Sequence, residues 1–399
     1  MKYKTLGFER TVKKHIYISA NAGELSRAPF FQTLYSSQRA INCLMITKFD
    51  FFEKYDLSKR KRYVQELPKT PITTQPHQKI YFGSPGTGKS YKINNEIAKG
   101  YEKFVVTFHP DFDYFDFVGS YKPETIEENG EKKIIYAFTA QRFMEAYIRA
   151  WETDEPIFLI IEEINRGRCA SIFGDIFQLL DRDENSFSEY FVSVSKELND
   201  YLKNVLGENE TYIEQIEKLY FDKNERNLEN PFSVLSLPNN LYIHATMNTS
   251  DQALFPMDSA FKRRWEWEYM PINYEQANNF VIDFGGLGQV SWQVFLENIN
   301  QKIYDITQSE DKQIGTWFVK TNIIQDEKKV ISKSQFLNKV MYYLWFDVFM
   351  YESKNQESYI FQSQSDEGII PFTYSDLFGK TTNDILEGFL NFNNIPLID

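Results

Sequence analysis

Cysteine, histidine and long apolar runs are all scarce in this chain of 399 residues, which has 2 cysteines and 4 histidines. Cys43 and Cys169 are too few for a disulfide framework or a thiolate metal site, and they fit a reducing cytoplasm. No stretch reaches the roughly 18–20 uninterrupted apolar residues that a membrane helix needs. The first residues, MKYKTLGFERTVKKH, are basic but lack the apolar segment and small-residue cleavage site of a secretory signal. What remains is ordinary for a soluble globular protein, with 42% hydrophobic and 25% charged residues. The length suits two or three compact units.

The net charge of −12 hides an asymmetry. Residues 1–75 carry fourteen Lys/Arg against six Asp/Glu, and the remainder thirty against fifty. A basic front on an acidic body, with Lys59, Arg60, Lys61 and Arg62 adjacent, suggests that residues 1–66 meet a polyanion such as DNA, unless the basic run is only a solvated hinge. Residues 67–78, with Pro68, Pro71 and Pro76, read as an extended linker. From Lys79 apolar strands alternate with helices, the signature of a parallel sheet covered on both faces. KIYFG (79–83), FVVTF (104–108), IFLII (157–161) and LYIHATM (241–247) are the expected strands. Past Pro271 the strands are expected to stop. Two amphipathic helices follow, at 291–307 with Trp292, Phe295, Leu296, Ile299 and Ile303, and at 334–350 with Phe336, Val340, Tyr343, Leu344 and Val348. The expected architecture is an α/β core at 79–275, an insertion at about 184–236, and a helical lid with tail at 276–399, behind a small α+β segment.

Gly83-Ser84-Pro85-Gly86-Thr87-Gly88-Lys89-Ser90 satisfies G-x-x-x-x-G-K-[ST] between a strand and a helical run, which is the context a P-loop requires. Its glycines let the backbone wrap phosphates, Lys89 can reach the β- and γ-phosphates, and the Ser90 hydroxyl can ligate Mg²⁺. The run Ile157–Ile161 followed by Glu162 and Glu163 is a Walker B arrangement: a buried strand delivering two acids to the ligand edge of the sheet. Glu162 would hold the metal through water, where Asp is usual, and Glu163 would polarise the attacking water. Asn248, ending LYIHATMN, is placed to sense the γ-phosphate. Lys262, Arg263 and Arg264 close a short helix, and Arg263 and Arg264 suit an arginine finger given to a neighbouring subunit.

These residues resemble the McrB-like AAA+ NTPases of modification-dependent restriction systems. The similar segments are VTFHPDFDYFDFVGSYKP (106–123), IIEEINRGRCASIFGDIFQLLD (160–181), Met247–Asp251, Ala260–Trp265 and Gln313–Phe318, within a resemblance covering about residues 76–350. It implies an ATP- or GTP-hydrolysing ring, expected to be hexameric, with nucleotide between subunits and Mg²⁺ as cofactor. It also implies a separately encoded McrC-like nuclease partner and an N-terminal region that contacts DNA. Two departures stand out. The front segment is short for a modified-base reader, and the insertion between Asp181 and Pro238 is long, which would send it toward the pore or a partner. Histidine is too scarce for an HNH-like centre, so any cutting falls to the partner. Two other classes compete: a MoxR-like chaperone ATPase, which a neighbouring gene for a von Willebrand-type protein would favour, and a non-hydrolysing scaffold, which binding without turnover would favour.

Overall fold

The computed structural model describes residues 75–128, 131–249, 255–350, 360–366 and 368–398. All belong to one compact unit, Pro71–Asp399. The expectations for residues 1–66 and for the basic run at 59–62 lie outside the described residues, as do Ser250 and Asp251.

Up to Met270 the strands are β1 (Gln78–Gly83), β2 (Glu102–Thr107), β3 (Gly119–Glu128), β4 (Glu131–Ala140), β5 (Ile157–Glu162), β6 (Val192–Ser193), β7 (Val234–Leu235), β8 (Leu241–Asn248) and β9 (Glu266–Tyr269). Five of them form one parallel sheet in the order β2-β5-β8-β1-β9. The side-chain alternation of a strand explains why β5 is uninterrupted in its apolar character. Ile157, Leu159 and Ile161 pack into the larger core on one face, while Phe158 and Ile160 join Tyr81, Ile93 and Tyr242 on the other. Each such side chain contributes about 1.5–3 kcal/mol when fully buried, which holds β5 inside the sheet rather than at its edge.

The crossover helices cover both faces. Helix α1 (Lys89–Lys92) leaves the end of β1 and continues in wider π-helical turns over Ile93–Ile97. Helix α2 (Tyr114–Phe117) is held by a capping box in which the Asp113 carboxylate accepts the Asp116 amide. Helix α3 (Arg142–Glu152) buries Phe143, Met144, Tyr147 and Trp151 against the sheet. Helix α4 (Cys169–Phe173) follows the acid pair. The insertion forms two helices, α5 (Lys196–Leu206) and α6 (Glu210–Asn224). Its apolar face does not project. Leu198, Leu202, Leu206, Tyr212 and Ile216 are part of the main core, and the Tyr212 ring meets Trp151 edge-on at 5.2 Å. The hairpin β3–β4 pairs over its whole length, from Gly119↔Ala140 to Glu128↔Glu131.

Beyond helix α7 (Ser259–Lys262) and β9, the expectation that strands stop at Pro271 is corrected. β10 (Phe280–Asp283), β11 (Gln289–Ser291), β12 (Ile324–Gln325), β13 (Lys328–Ser332) and, after the hairpin β14 (Gln362–Ser365) and β15 (Gly368–Pro371), β16 (Leu397–Ile398) are present. They build a second sheet in the order β12-β13-β10-β11-β16. The lid helices pack with this sheet. Helix α8 (Trp292–Thr307) starts where Ser291 accepts the Val294 amide, and it buries Trp292, Phe295, Leu296, Ile299 and Ile303 on one stripe. The second lid helix opens as α9 (Lys333–Gln335) and runs on through π-helical turns over Phe336–Met341 and Leu344–Val348.

Candidate active site

Strand register assembles the site. Gly83 pairs with Asn248 across β1 and β8, and Ile161 pairs with Ala245 across β5 and β8. The loop after β1, the acids after β5 and the tip of β8 therefore share one edge of the sheet.

The loop is shaped by Gly86 and Gly88, whose φ angles of 82° and 87° lie in the left-handed region that only glycine enters freely. The lysine that follows is buried, and its Nζ donates to the Gly83 carbonyl at 2.9 Å and the Ser84 carbonyl at 2.8 Å. The ammonium is thus held against the backbone of the loop itself.

The two acids have separate surroundings. The Ser90 hydroxyl donates to Glu162 Oε2 at 2.7 Å, and Thr246 Oγ1 donates to the same oxygen. Glu163 sits at φ 56°, ψ 47°, a left-handed conformation costing roughly 1–2 kcal/mol for a residue with a side chain. That turn is held by the Glu163 amide donating to Thr246 Oγ1 at 3.1 Å. It directs the carboxylate so that Asn248 Nδ2 donates to Oε1 at 2.5 Å, while Arg166 Nε lies 3.5 Å from Oε2. Asn165 Nδ2 in turn donates to the Asn248 carbonyl at 2.6 Å, fixing the tip of β8 against the acid turn. Thr246 is a functional position that sequence reasoning missed. Its signal was a threonine hydroxyl two residues before Asn248 and so on the same face of β8.

The oxygens of Ser90 and Glu162 fit a Mg²⁺ ion bound largely through phosphate and water, the usual arrangement for this hard, reluctantly dehydrated cation. The extra methylene of glutamate brings the carboxylate onto the hydroxyl directly.

The lid closes against this loop through backbone contacts. The amide of Gly315 donates to the Pro85 carbonyl at 2.9 Å and that of Trp317 to the Gly86 carbonyl at 2.8 Å. Ser84 Oγ donates to the Glu310 carbonyl at 2.8 Å, and Thr249 Oγ1 donates to Asp311. A β-carbon on Gly86 would lie 2.6 Å from the Phe318 nitrogen, so lid and loop fit only with glycine there. Beside Asn165 and Thr249 a cavity of about 570 Å³ opens between the tip of β8 and the lid.

Arg263 and Arg264 are not brought to this edge. Both line a groove with Pro76, His77 and Gln78, at the start of β1 and the far end of a six-residue strand from Gly83. At about 3.3 Å per residue that strand separates them from the chain's own loop by roughly 16 Å. The structure also divides the pair. The Arg264 side chain is 7% exposed, bonds Asp181 at 2.6 Å, donates to the Ala260 carbonyl and stacks its guanidinium 4.4 Å from the Phe177 ring centroid. Arg263 and Lys262 are exposed.

Comparison with known proteins agrees with this geometry. Residues 80–265 match the AAA domain family of the dynein-related subfamily. The chain is 34% identical over 314 residues to the Type II restriction enzyme BsuMI component YdiS of Bacillus subtilis (strain 168), covering 71% of this chain and 82% of that protein. It is 26% identical over 244 residues to the Type IV methyl-directed restriction enzyme EcoKMcrB subunit of Escherichia coli (strain K12), covering 59% of this chain and 43% of that one. Phosphate loop, acid turn and sheet order, taken with these relatives, establish that the chain is a nucleoside-triphosphate hydrolase belonging to the McrB-like AAA+ family.

Proposed function

We propose that this chain is the motor subunit of a DNA-restriction assembly, in which its ATP or GTP turnover activates a separate McrC-like nuclease. The observation that carries the reading is the split site: Glu163 and Asn248 stand bonded at the chain's own loop, while Arg263 is exposed at the opposite end of β1. One chain can bind and orient the nucleotide, and a second completes the charge stabilisation. That requirement favours a closed ring with nucleotide between subunits, which we take to be a hexamer.

The residue roles follow from placement. The backbone N–H groups of Gly86 to Ser90 and the Lys89 ammonium would hold the phosphates, with Ser84 and Pro85 shaping the loop from Gly83, and Ser90 with Glu162 would hold Mg²⁺. A water oxygen attacks the γ-phosphorus as the bond to the β-phosphate bridging oxygen breaks, and Glu163 accepts the proton while Asn248 keeps that carboxylate aimed. Arg263 of the neighbouring subunit neutralises charge on the transferred phosphoryl group. Arg264 supports the helix end through Asp181. Both relatives are named as parts of restriction enzymes, which supports the nuclease partner, and the basic residues 1–75 are the proposed DNA contact.

The test mixes Arg263→Ala subunits with Glu163→Gln subunits, each inactive alone. Hydrolysis should reappear in the mixture, because some interfaces then join an intact Glu163 to an intact Arg263. Sedimentation with a non-hydrolysable nucleotide should show a ring-sized species. A chain that stays monomeric with every nucleotide refutes the shared site. Deleting residues 1–66 should remove DNA affinity and leave basal hydrolysis intact, and unchanged DNA binding after that deletion refutes the assignment of the basic front.

A further inference from the structure

The lid strap that lies on the phosphate loop carries an aromatic residue with no role so far, Trp317. We propose that Trp317 is the platform on which the nucleobase stacks. The inference rests on the nucleotide-binding reading above and extends it to the base.

The direction of the nucleotide follows from the sheet order. Glu163 and Asn248, which meet the terminal phosphate, follow β5 and end β8, both on one side of β1. β9 and the chain leading into the lid lie on the other side. A triphosphate laid along Gly86–Ser90 with its γ end at Glu163 sends its ribose and base toward the β9 side, where Gln276 and Phe280 follow β9 and touch Trp317. Trp317 stands on that side. Its indole Cδ1 is 3.6 Å from where a β-carbon on Gly88 would sit, directly beside the helix-forming end of the loop.

The indole is held in place yet left open. Its backbone amide is bonded to Gly86, and its Nε1 donates to Gln276 Oε1 at 3.1 Å. Phe280 packs against the ring at 5.4 Å and 81°, and the Lys329 ammonium lies 4.9 Å from the ring centroid. Still, 37% of the residue remains exposed. A tryptophan fixed by two hydrogen bonds and an edge-on ring has already lost its rotamer freedom, so a base stacking on it orders nothing further. Stacking accepts any base with a π face, so Trp317 strengthens ATP and GTP binding alike and leaves discrimination to contacts with the base edge.

The experiment titrates ATP, GTP and inorganic tripolyphosphate, each with Mg²⁺, into full-length wild type, Trp317→Ala and Trp317→Phe. Tripolyphosphate reads the phosphate loop without a base. Trp317→Ala should weaken both nucleotides about 10- to 100-fold, the range of one lost base–aromatic stack, and leave tripolyphosphate within about twofold of wild type. Trp317→Phe should recover most of the nucleotide affinity and lose the nucleotide-induced change in tryptophan fluorescence. Equal weakening of nucleotides and tripolyphosphate would show that Trp317 only shapes the loop and would overturn the proposal, as would unchanged nucleotide affinity in Trp317→Ala. A wild-type chain that binds tripolyphosphate as tightly as ATP and GTP would also overturn it while leaving the loop assignment standing. Binding of none of the three would overturn the nucleotide reading itself.

Discussion

Replacing Gly315 by alanine tests whether the lid strap governs the phosphate loop. The added β-carbon would sit 2.3 Å from the Gly86 carbonyl carbon, 2.5 Å from its oxygen and 2.6 Å from the Thr87 nitrogen. All three are backbone atoms, so no side-chain rotation relieves the clash. The strap has to retreat by about 1 Å to reach ordinary van der Waals distance. That movement stretches the Gly315–Pro85 and Trp317–Gly86 hydrogen bonds, now 2.9 and 2.8 Å, beyond the range in which such bonds hold. Two backbone hydrogen bonds at about 0.5–1.5 kcal/mol each make roughly 1–3 kcal/mol of lid–loop attachment, or about 5- to 150-fold in nucleotide affinity. Global folding should survive, because the core and the lid have separate apolar cores that share no residue. Calorimetric titration of nucleotide, with circular dichroism to confirm folding, reads the effect. Gly286→Ala is the matched control, since nothing lies within 4 Å of its β-carbon position and its φ is not in the left-handed region. Gly315→Ala binding nucleotide within about twofold of wild type would refute the reasoning.

Lys89→Ala should abolish nucleotide binding, whereas Glu163→Gln should bind normally and hydrolyse at least ~100-fold more slowly, measured by phosphate release. Turnover within a few-fold of wild type in Glu163→Gln removes it as the base. Arg264→Ala should destabilise the chain by about 2–3 kcal/mol in denaturant unfolding, because it strands the partly buried Asp181 carboxylate and removes the contact with Phe177, while Arg263→Ala leaves stability unchanged. His77 and His244 are held down to about 4, by burial first and by Arg182 and Lys79 respectively among nearby charges. Both values lie below the unfolded one of about 6.5, so the unfolded state takes up more protons and stability falls as pH drops from about 6.5 to 4, by at most about 1.4 kcal/mol per pH unit for each histidine. His244→Gln should make that fall shallower, and an unchanged slope between pH 6.5 and 4 in denaturant midpoints would exclude His244 as a contributor.

What was legible in the sequence was whatever local pattern decides. β5 is apolar from Ile157 to Ile161 because both faces are covered, and α8 shows its cap at Ser291 and its stripe from Trp292 to Ile303. β9 was not legible. Its four residues, Glu266–Tyr269, alternate charge with aromatics at the edge of the sheet and look like the tail of the preceding basic helix. The lid strands escaped for a related reason: β10, β11 and β13 are three to five residues long and read as turn-rich connections, and only burial against the lid helices makes them strands. In the insertion, the leucine spacing of α5 announced a helix, but nothing local announced that Tyr212 would seek Trp151, 61 positions away.

The site divides along the same line. Glycines, lysine and acids stand beside one another in sequence because a loop or a strand end must present them together, so the motif is readable. The Arg264–Asp181 pair, by contrast, spans 83 positions, and only the fold separates a half-buried arginine from its exposed neighbour. That separation also bears on how turnover can be passed on. Arg264 ties the helix end carrying Arg263 to Asp181, and the turn Gly174–Leu180 before Asp181 follows α4, which begins six residues after Glu163. In the proposed ring, the acid turn and the helix end carrying Arg263 are therefore linked within one chain through Asp181.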